Sequence, residues 1–106
     1  MGGILKIDDH SITVDNLEIS IFQEGNTYIA HCPAFELSTC GNTVDKAQRR
    51  IHEAITIFIE EIITMGTFED VLIECGWHKE ELPLPKWVPP VFMTRKENIN
   101  IPLPLH

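Results

Sequence analysis

Residues 43–66 read TVDKAQRRIHEAITIFIEEIITMG, and this stretch decides the fold. Its apolar side chains recur at steps of three and four residues, which places them on one face of an α-helix. They are Val44, Ala47, Ile51, Ala54, Ile55, Phe58 and Ile62. Thr43 is a residue type favoured as an N-cap, and Gly66 stands where a C-terminal cap is expected. The sequence therefore predicts one long amphipathic helix that packs on a sheet.

Short strands are predicted before this helix. Residues 17–22 alternate apolar and polar side chains, which is the pattern of a half-buried strand. Gly25 and Asn26 favour a turn after it, because both tolerate positive φ. The predicted strands cover residues 17–22, 27–32 and 37–40, with a further strand or hairpin over 4–7 and 12–14. We therefore expect an α+β domain over residues 1–76, in which one long helix covers a three- to four-stranded antiparallel sheet.

A short second helix is predicted after the long one. Thr67 can cap it, Glu69 and Asp70 lie in its first turn, where the helix dipole favours acids, and Gly76 can end it. Its apolar face would consist of Phe68, Val71, Leu72 and Cys75.

The last part of the chain, residues 77–106, is predicted to be an extended tail. It holds every proline except Pro33, and such a density of proline favours extended backbone. Apolar residues such as Trp87 are also frequent there, so we expect much of the tail to pack on its own core or on a neighbouring subunit. The alternation around residues 98–103 predicts a strand that returns to the sheet edge.

The charge balance argues against direct binding of nucleic acid. Sixteen acidic and eight basic side chains give a formal charge of −8. Binding to phosphates depends on clustered Lys and Arg, whereas the only adjacent basic pairs here are Arg49-Arg50 and Arg95-Lys96. An acidic surface better suits a basic protein partner, because complementary charges steer encounter.

The cysteines and the N-terminus favour the cytoplasm. An odd number of cysteines (Cys32, Cys40 and Cys75) without a secretory signal over residues 1–6 is typical of reduced thiols. No apolar run approaches the roughly 18 residues of a membrane span, so no membrane association is expected.

Cysteine and histidine are the first candidates for chemistry. His31 and Cys32 are adjacent, and neighbouring residues on a strand point to opposite faces. Cys32 and Cys40 lack the short ligand spacings of a zinc site, so we predict no metal site and no cofactor, and interpret both thiols as small buried hydrophobes. A nucleophilic cysteine with a histidine base elsewhere in the chain stays open.

The carboxylates are the second candidates. A metal-dependent nuclease needs carboxylates that converge on strands and helix, but Glu18 lies on the polar face of its strand. Glu53, Glu60 and Glu61 lie off the apolar face of the long helix, as a solvated surface or as a patch for a basic partner. Ile57 and Ile63 also lie off that face and, together with the apolar tail, favour a subunit interface.

Several short motifs, in order, resemble the N-terminal domain of the HicB antitoxin family. They are Tyr28-Ile29-Ala30-His31-Cys32-Pro33, then Cys40-Gly41-Asn42-Thr43, then Ala47 and Glu53-Ala54. The resemblance implies a β-β-β-α-β core like part of a ribonuclease H fold, without its catalytic carboxylates. It also implies an antitoxin that blocks a small basic, HicA-like mRNA-cleaving toxin and forms dimers or tetramers. Because prolines interrupt residues 77–106, we expect no C-terminal helix-turn-helix domain of the kind that full-length members of that family often carry.

Three functions follow from these patterns. The leading hypothesis is a non-catalytic, antitoxin-like module that binds a basic toxin. The first alternative is a self-associating structural or regulatory protein without a toxin. The second is a small metal-dependent nuclease or hydrolase. The sequence assigns no catalytic residue and no partner-binding residue.

Overall fold

The computed structural model describes residues 4–7 and 11–104. Residues 1–3 and the last two residues of the predicted tail lie outside this range. The expectation of no secretory signal rests partly on residues 1–3. The elements within it are β1 Ile4–Ile7, β2 Ile12–Asp15, β3 Ser20–Glu24, β4 Thr27–Cys32, β5 Leu37–Gly41, α1 Val44–Thr64, α2 Phe68–Glu74, β6 His78–Glu80 and β7 Lys86–Val88. The predicted α+β class with antiparallel strands is confirmed. The prediction of a single sheet is wrong, because the described strands form one sheet of four and one of three.

The three-stranded sheet has the order β3-β4-β5 and carries α1. A tight turn with Gly25 at φ +62° joins β3 to β4, as the sequence predicts. Strand β3 begins at Ser20, three residues later than predicted. Leu17 and Ile19 are half-buried against the core, but they precede the strand pairing.

Helix α1 begins where the sequence predicts. The Thr43 hydroxyl accepts a hydrogen bond from the backbone N–H of Lys46 at 3.1 Å, which satisfies one of the free amides of the first turn. The preceding Gly41 is required by space: a Cβ atom there would lie 2.7 Å from the backbone nitrogen of Ala47. The chain can therefore turn directly from β5 into a helix that lies close to it.

The buried face of α1 differs in part from the predicted one. Ala47, Ile51, Ile55, Ile59 and Ile62 are buried, and each isoleucine contributes roughly 1.5–3 kcal/mol by leaving water. The prediction omits Ile59 and wrongly includes Val44, which is 44% exposed, while Ala54 and Phe58 are half-buried. Periodicity identifies the face of the helix, but the neighbouring elements decide which positions on it are covered.

Both helices end in the same hydrogen-bonded motif. Gly66 (φ +73°) and Gly76 (φ +93°) take the left-handed conformation that glycine adopts without strain. The next residue in each case donates its N–H back across the last turn, Thr67 to Ile62 O and Trp77 to Leu72 O, both at 2.9 Å. These are Schellman caps, as the two glycines predict. The predicted side-chain cap by Thr67 is wrong, because its hydroxyl makes no N-cap hydrogen bond.

The four-stranded sheet has the order β2-β1-β7-β6, and half of it comes from the predicted tail. Trp87 on β7 pairs with Leu5 on β1, and Trp77 is buried just before β6. Residues 77–90 thus belong to the folded body, and the exposed extension begins at Val91. Residues 98–103, where a returning strand is predicted, lie in no strand of the single chain.

Aromatic contacts join the two sheets. The Trp77 indole donates a 2.7 Å hydrogen bond to the carbonyl of Ala34 and stacks on Phe35, with ring centroids 5.1 Å apart. Phe35 also contacts Phe58 of α1, and Phe68 of α2 meets Trp87 edge to face. One continuous core therefore joins α1, α2 and strands of both sheets.

Candidate protein-interaction surface

The structure separates the two residues that first suggested chemistry. His31 and Cys32 point to opposite faces of β4: Cys32 is fully buried, whereas the His31 ring makes a 2.7 Å hydrogen bond with Ser38 on β5. Burial raises the pKa of the Cys32 thiol, although the backbone N–H groups of Phe35 and Ala34 act in the opposite direction. A buried thiol held in its protonated form is a poor nucleophile.

The other cysteines are also free thiols. The interpretation of Cys40 as buried is wrong: its side chain is exposed, and its carbonyl accepts a 2.9 Å hydrogen bond from Arg50 that ties α1 to β5. Burial raises the pKa of Cys75 as well, and the nearby carboxylates of Glu36 and Glu74 add to this shift.

The candidate carboxylates do not converge. Glu18 precedes β3, and Glu53, Glu60 and Glu61 occupy exposed positions on α1. Within residues 4–7 and 11–104, no group of three His, Cys, Asp or Glu side chains is arranged to hold a metal ion. The described residues therefore give the acids no shared site.

Two neighbouring hollows form what we call the hairpin groove, between the β1-β2 strands and the helices. The first hollow measures about 560 Å³ and the second about 500 Å³. Ile7, Ile12 and Ile63 line both hollows, so the two adjoin at these residues. The other lining residues are Ser11, Val14, Ile55, Thr56, Ile59, Glu60, Gly66, Phe68, Glu69 and Asp70. The groove is thus largely apolar, with carboxylates at its rim.

The exposed positions of α1 after Arg50, together with those of α2, form what we call the acidic helical surface. Between residues 51 and 78 there are six carboxylates and no Lys or Arg. The six are Glu53, Glu60, Glu61, Glu69, Asp70 and Glu74, all exposed. Glu69 has Lys79 at 3.5 Å. Exposed apolar side chains lie beside these carboxylates: Ile57 and Ile63 on α1, Met65 directly after α1, and Ile73 on α2.

No family model, curated protein or solved structure matches this chain. Neither helix in the described part of the chain has the combination of length and apolar character needed to cross a bilayer.

The C-terminal extension, residues 91–104, is a third candidate for protein interaction, beside the hairpin groove and the acidic helical surface. All of its residues are exposed, and the chain measures 65 Å along its longest axis. Its radius of gyration is 17.5 Å, against about 13 Å for a compact chain of 100 residues. The exposed apolar residues of the extension are Val91, Phe92, Met93, Ile99, Ile101 and Leu103.

Sequence reasoning identified part of this surface and missed the rest. It correctly placed Ile57 and Ile63 off the buried face of α1, and both are exposed. The hairpin groove was missed because its walls come from residues about fifty positions apart, and no local pattern reports such a meeting. The alternation of Ile12 and Val14 was the only local signal that this strand has an apolar face.

Proposed function

We propose that this chain is a non-catalytic binding module that binds a small basic protein through the acidic helical surface. The observation that carries the proposal is the run of six exposed carboxylates without a single Lys or Arg between residues 51 and 78. Such a surface attracts a cationic partner, and exposed apolar side chains beside the charges supply area to desolvate on contact.

The most concrete form of this proposal is an antitoxin in the cytoplasm that neutralises a HicA-like, mRNA-cleaving toxin. The HicB-like motifs support it, since Gly41-Asn42-Thr43 forms the tight strand-to-helix turn on which the resemblance depends. We further infer that β3, β4, β5 and α1 correspond to part of a ribonuclease H-like fold. Their antiparallel order and the helix directly after the third strand support this inference.

The test is co-expression with the small basic protein encoded next to this chain. We expect the two to co-purify, with a dissociation constant that rises steeply with salt, because the charges are solvent-exposed. We also expect the complex to suppress RNA cleavage by the partner. Absence of such a neighbour, or failure of the two proteins to bind, would contradict the proposal.

Charge variants locate the contact. Replacing Glu53, Glu61 and Glu74 with glutamine removes three carboxylates of the acidic helical surface that lie away from the groove. The matched control replaces three exposed acids near the sheets by their amides: Asp15, Glu18 and Glu24. We expect the first variant to weaken binding by about tenfold or more and the control by less than about threefold. Equal weakening by both would show that net charge, rather than this surface, determines binding.

A further inference from the structure

We propose that two copies of this chain exchange their C-terminal extensions, so that residues 91–104 of one copy lie in the hairpin groove of the other. This contact requires no toxin and goes beyond the proposed function. The exchange explains why both the extension and the groove expose apolar side chains in the single chain, since each would cover the apolar surface of the other.

The extension has the side-chain pattern of a strand with one apolar face. In extended backbone, alternate residues point to opposite sides. Ile99, Ile101 and Leu103 therefore share one side, while Asn98 and Asn100 share the other. Ile99 and Ile101 are 78% and 75% exposed. Single exposed apolar residues are ordinary, but three on one face of a strand indicate a surface that becomes covered.

The groove offers what such a strand needs. Its walls carry isoleucines from β1, β2 and α1. Strand β2 is the outer strand of its sheet and pairs only with β1 among the described strands. One edge of β2 therefore has backbone groups free to pair with an added strand.

Charge complementarity also favours entry of the extension into the groove. Arg95 and Lys96 precede the apolar residues by three or more positions, a distance of roughly 10 Å in extended chain. Neither forms an ion pair among the described residues. Glu60, Glu69 and Asp70 rim the groove, so these cations would meet carboxylates when Ile99 and Ile101 enter it.

The direction of β7 favours a second copy over the chain's own groove. Strand β7 runs antiparallel to β1, so the chain leaves β7 toward the Ile4 end, whereas the groove opens at the Ile7 end. Pro90 then packs near Gly76 at the C-terminal end of α2, where a Cβ on that glycine would be 3.2 Å from the proline ring. The groove lies at the other end of α2, beside Gly66 and Phe68.

The first experiment measures mass in solution by sedimentation and light scattering. The full chain should be a dimer at micromolar concentration, and a chain ending at Pro90 should be a monomer. A monomeric full chain, or a dimer that survives removal of the extension, would overturn the proposal. Because the measurement uses this chain alone, its outcome is independent of whether a basic partner binds.

Matched variants in the extension test its face. Ile99→Asp with Ile101→Asp should raise the dimer dissociation constant by about tenfold or more, because two apolar contacts are lost. Asn98→Asp with Asn100→Asp adds the same charge to the opposite face and should change it by less than about threefold. All four positions are exposed, so the fold of the body is unaffected. Equal effects of the two pairs would contradict a specific apolar face.

Mixing two defective chains identifies the groove. A chain ending at Pro90 keeps its groove but lacks the extension, and Ile63→Asp alters the groove but keeps the extension. Each alone should be monomeric, while an equimolar mixture should form a heterodimer through one intact contact. Far-UV circular dichroism confirms that the Ile63 variant is folded. A mixture that stays monomeric, or an Ile63→Asp chain that still dimerises as tightly as the original, would overturn the assignment to this groove.

Discussion

The two halves of the C-terminal segment, residues 77–90 and 91–104, are both rich in proline and apolar residues, but only the first half packs on the core. Residues 77–90 contain four prolines, two tryptophans and exposed charges, and they fold into β6 and β7. Residues 91–104 contain two prolines and six large apolar side chains, and every residue is exposed. The first half finds partners within its own chain, namely Leu5 for Trp87 and the Ala34 carbonyl for Trp77. The difference shows that available partners, rather than apolar content, decide whether an extended segment packs.

Removing a tryptophan from the first half should have the largest effect. Trp77→Ala deletes a buried indole, its stacking on Phe35 and its hydrogen bond to Ala34. We expect it to lower the free energy of unfolding by about 3–5 kcal/mol, measured by urea denaturation. Met93→Ala in the second half is the control and should cost less than about 0.5 kcal/mol in the monomeric chain. Similar losses for both would break the comparison.

Substituting alanine for either glycine that ends a helix should lower stability by an intermediate amount. Gly66→Ala meets no atom within 4 Å, so its cost is that of a left-handed φ alone, about 1–2 kcal/mol. Gly76→Ala carries the same conformational cost and also places a methyl group 3.2 Å from Pro90. We expect the Gly76 variant to be less stable than the Gly66 variant in thermal unfolding. The reverse order would show that Pro90 is not held against the end of α2.

Replacing a basic residue in each half should give the smallest difference in the free energy of unfolding. Lys79 lies 3.5 Å from Glu69 and 3.7 Å from Glu81, and such partly exposed pairs contribute about 0.2–1 kcal/mol. Lys79→Gln should therefore lower stability slightly, and added salt should reduce the difference. Arg95→Gln should leave the stability of the monomer unchanged. A larger loss for Arg95 than for Lys79 would place an unrecognised contact in the extension.

Local signals in the sequence predicted the part of the fold that depends on neighbours in the chain. Thr43 caps α1, Gly66 and Gly76 end the helices, and Gly25 turns β3 into β4, all as their residue types indicate. The close approach of Gly41 to Ala47, in contrast, is a contact in space that the residue type alone does not report.

The remainder depends on long-range contacts that no local pattern reports. The prolines of residues 77–90 favoured the prediction of an extended tail, so strands β6 and β7 were not predicted. Trp77 reaches Ala34 across more than forty positions of sequence, and Trp87 pairs with Leu5 across a still longer separation. These long-range contacts hold the segment in the core. The hairpin groove was missed for the same reason, since β2 and α1 are distant in sequence.

Hydrogen exchange of the backbone amides tests the central comparison most directly. It should be measured on the full chain at protein concentrations below and above the point at which dimers form. We predict that amides in β6 and β7 are protected at every concentration, while those of residues 98–101 and 103 gain protection only at the higher ones. Two results would contradict an extension that is covered by a second copy. The amides of residues 98–101 and 103 would exchange freely at all concentrations, or they would be equally protected at all of them.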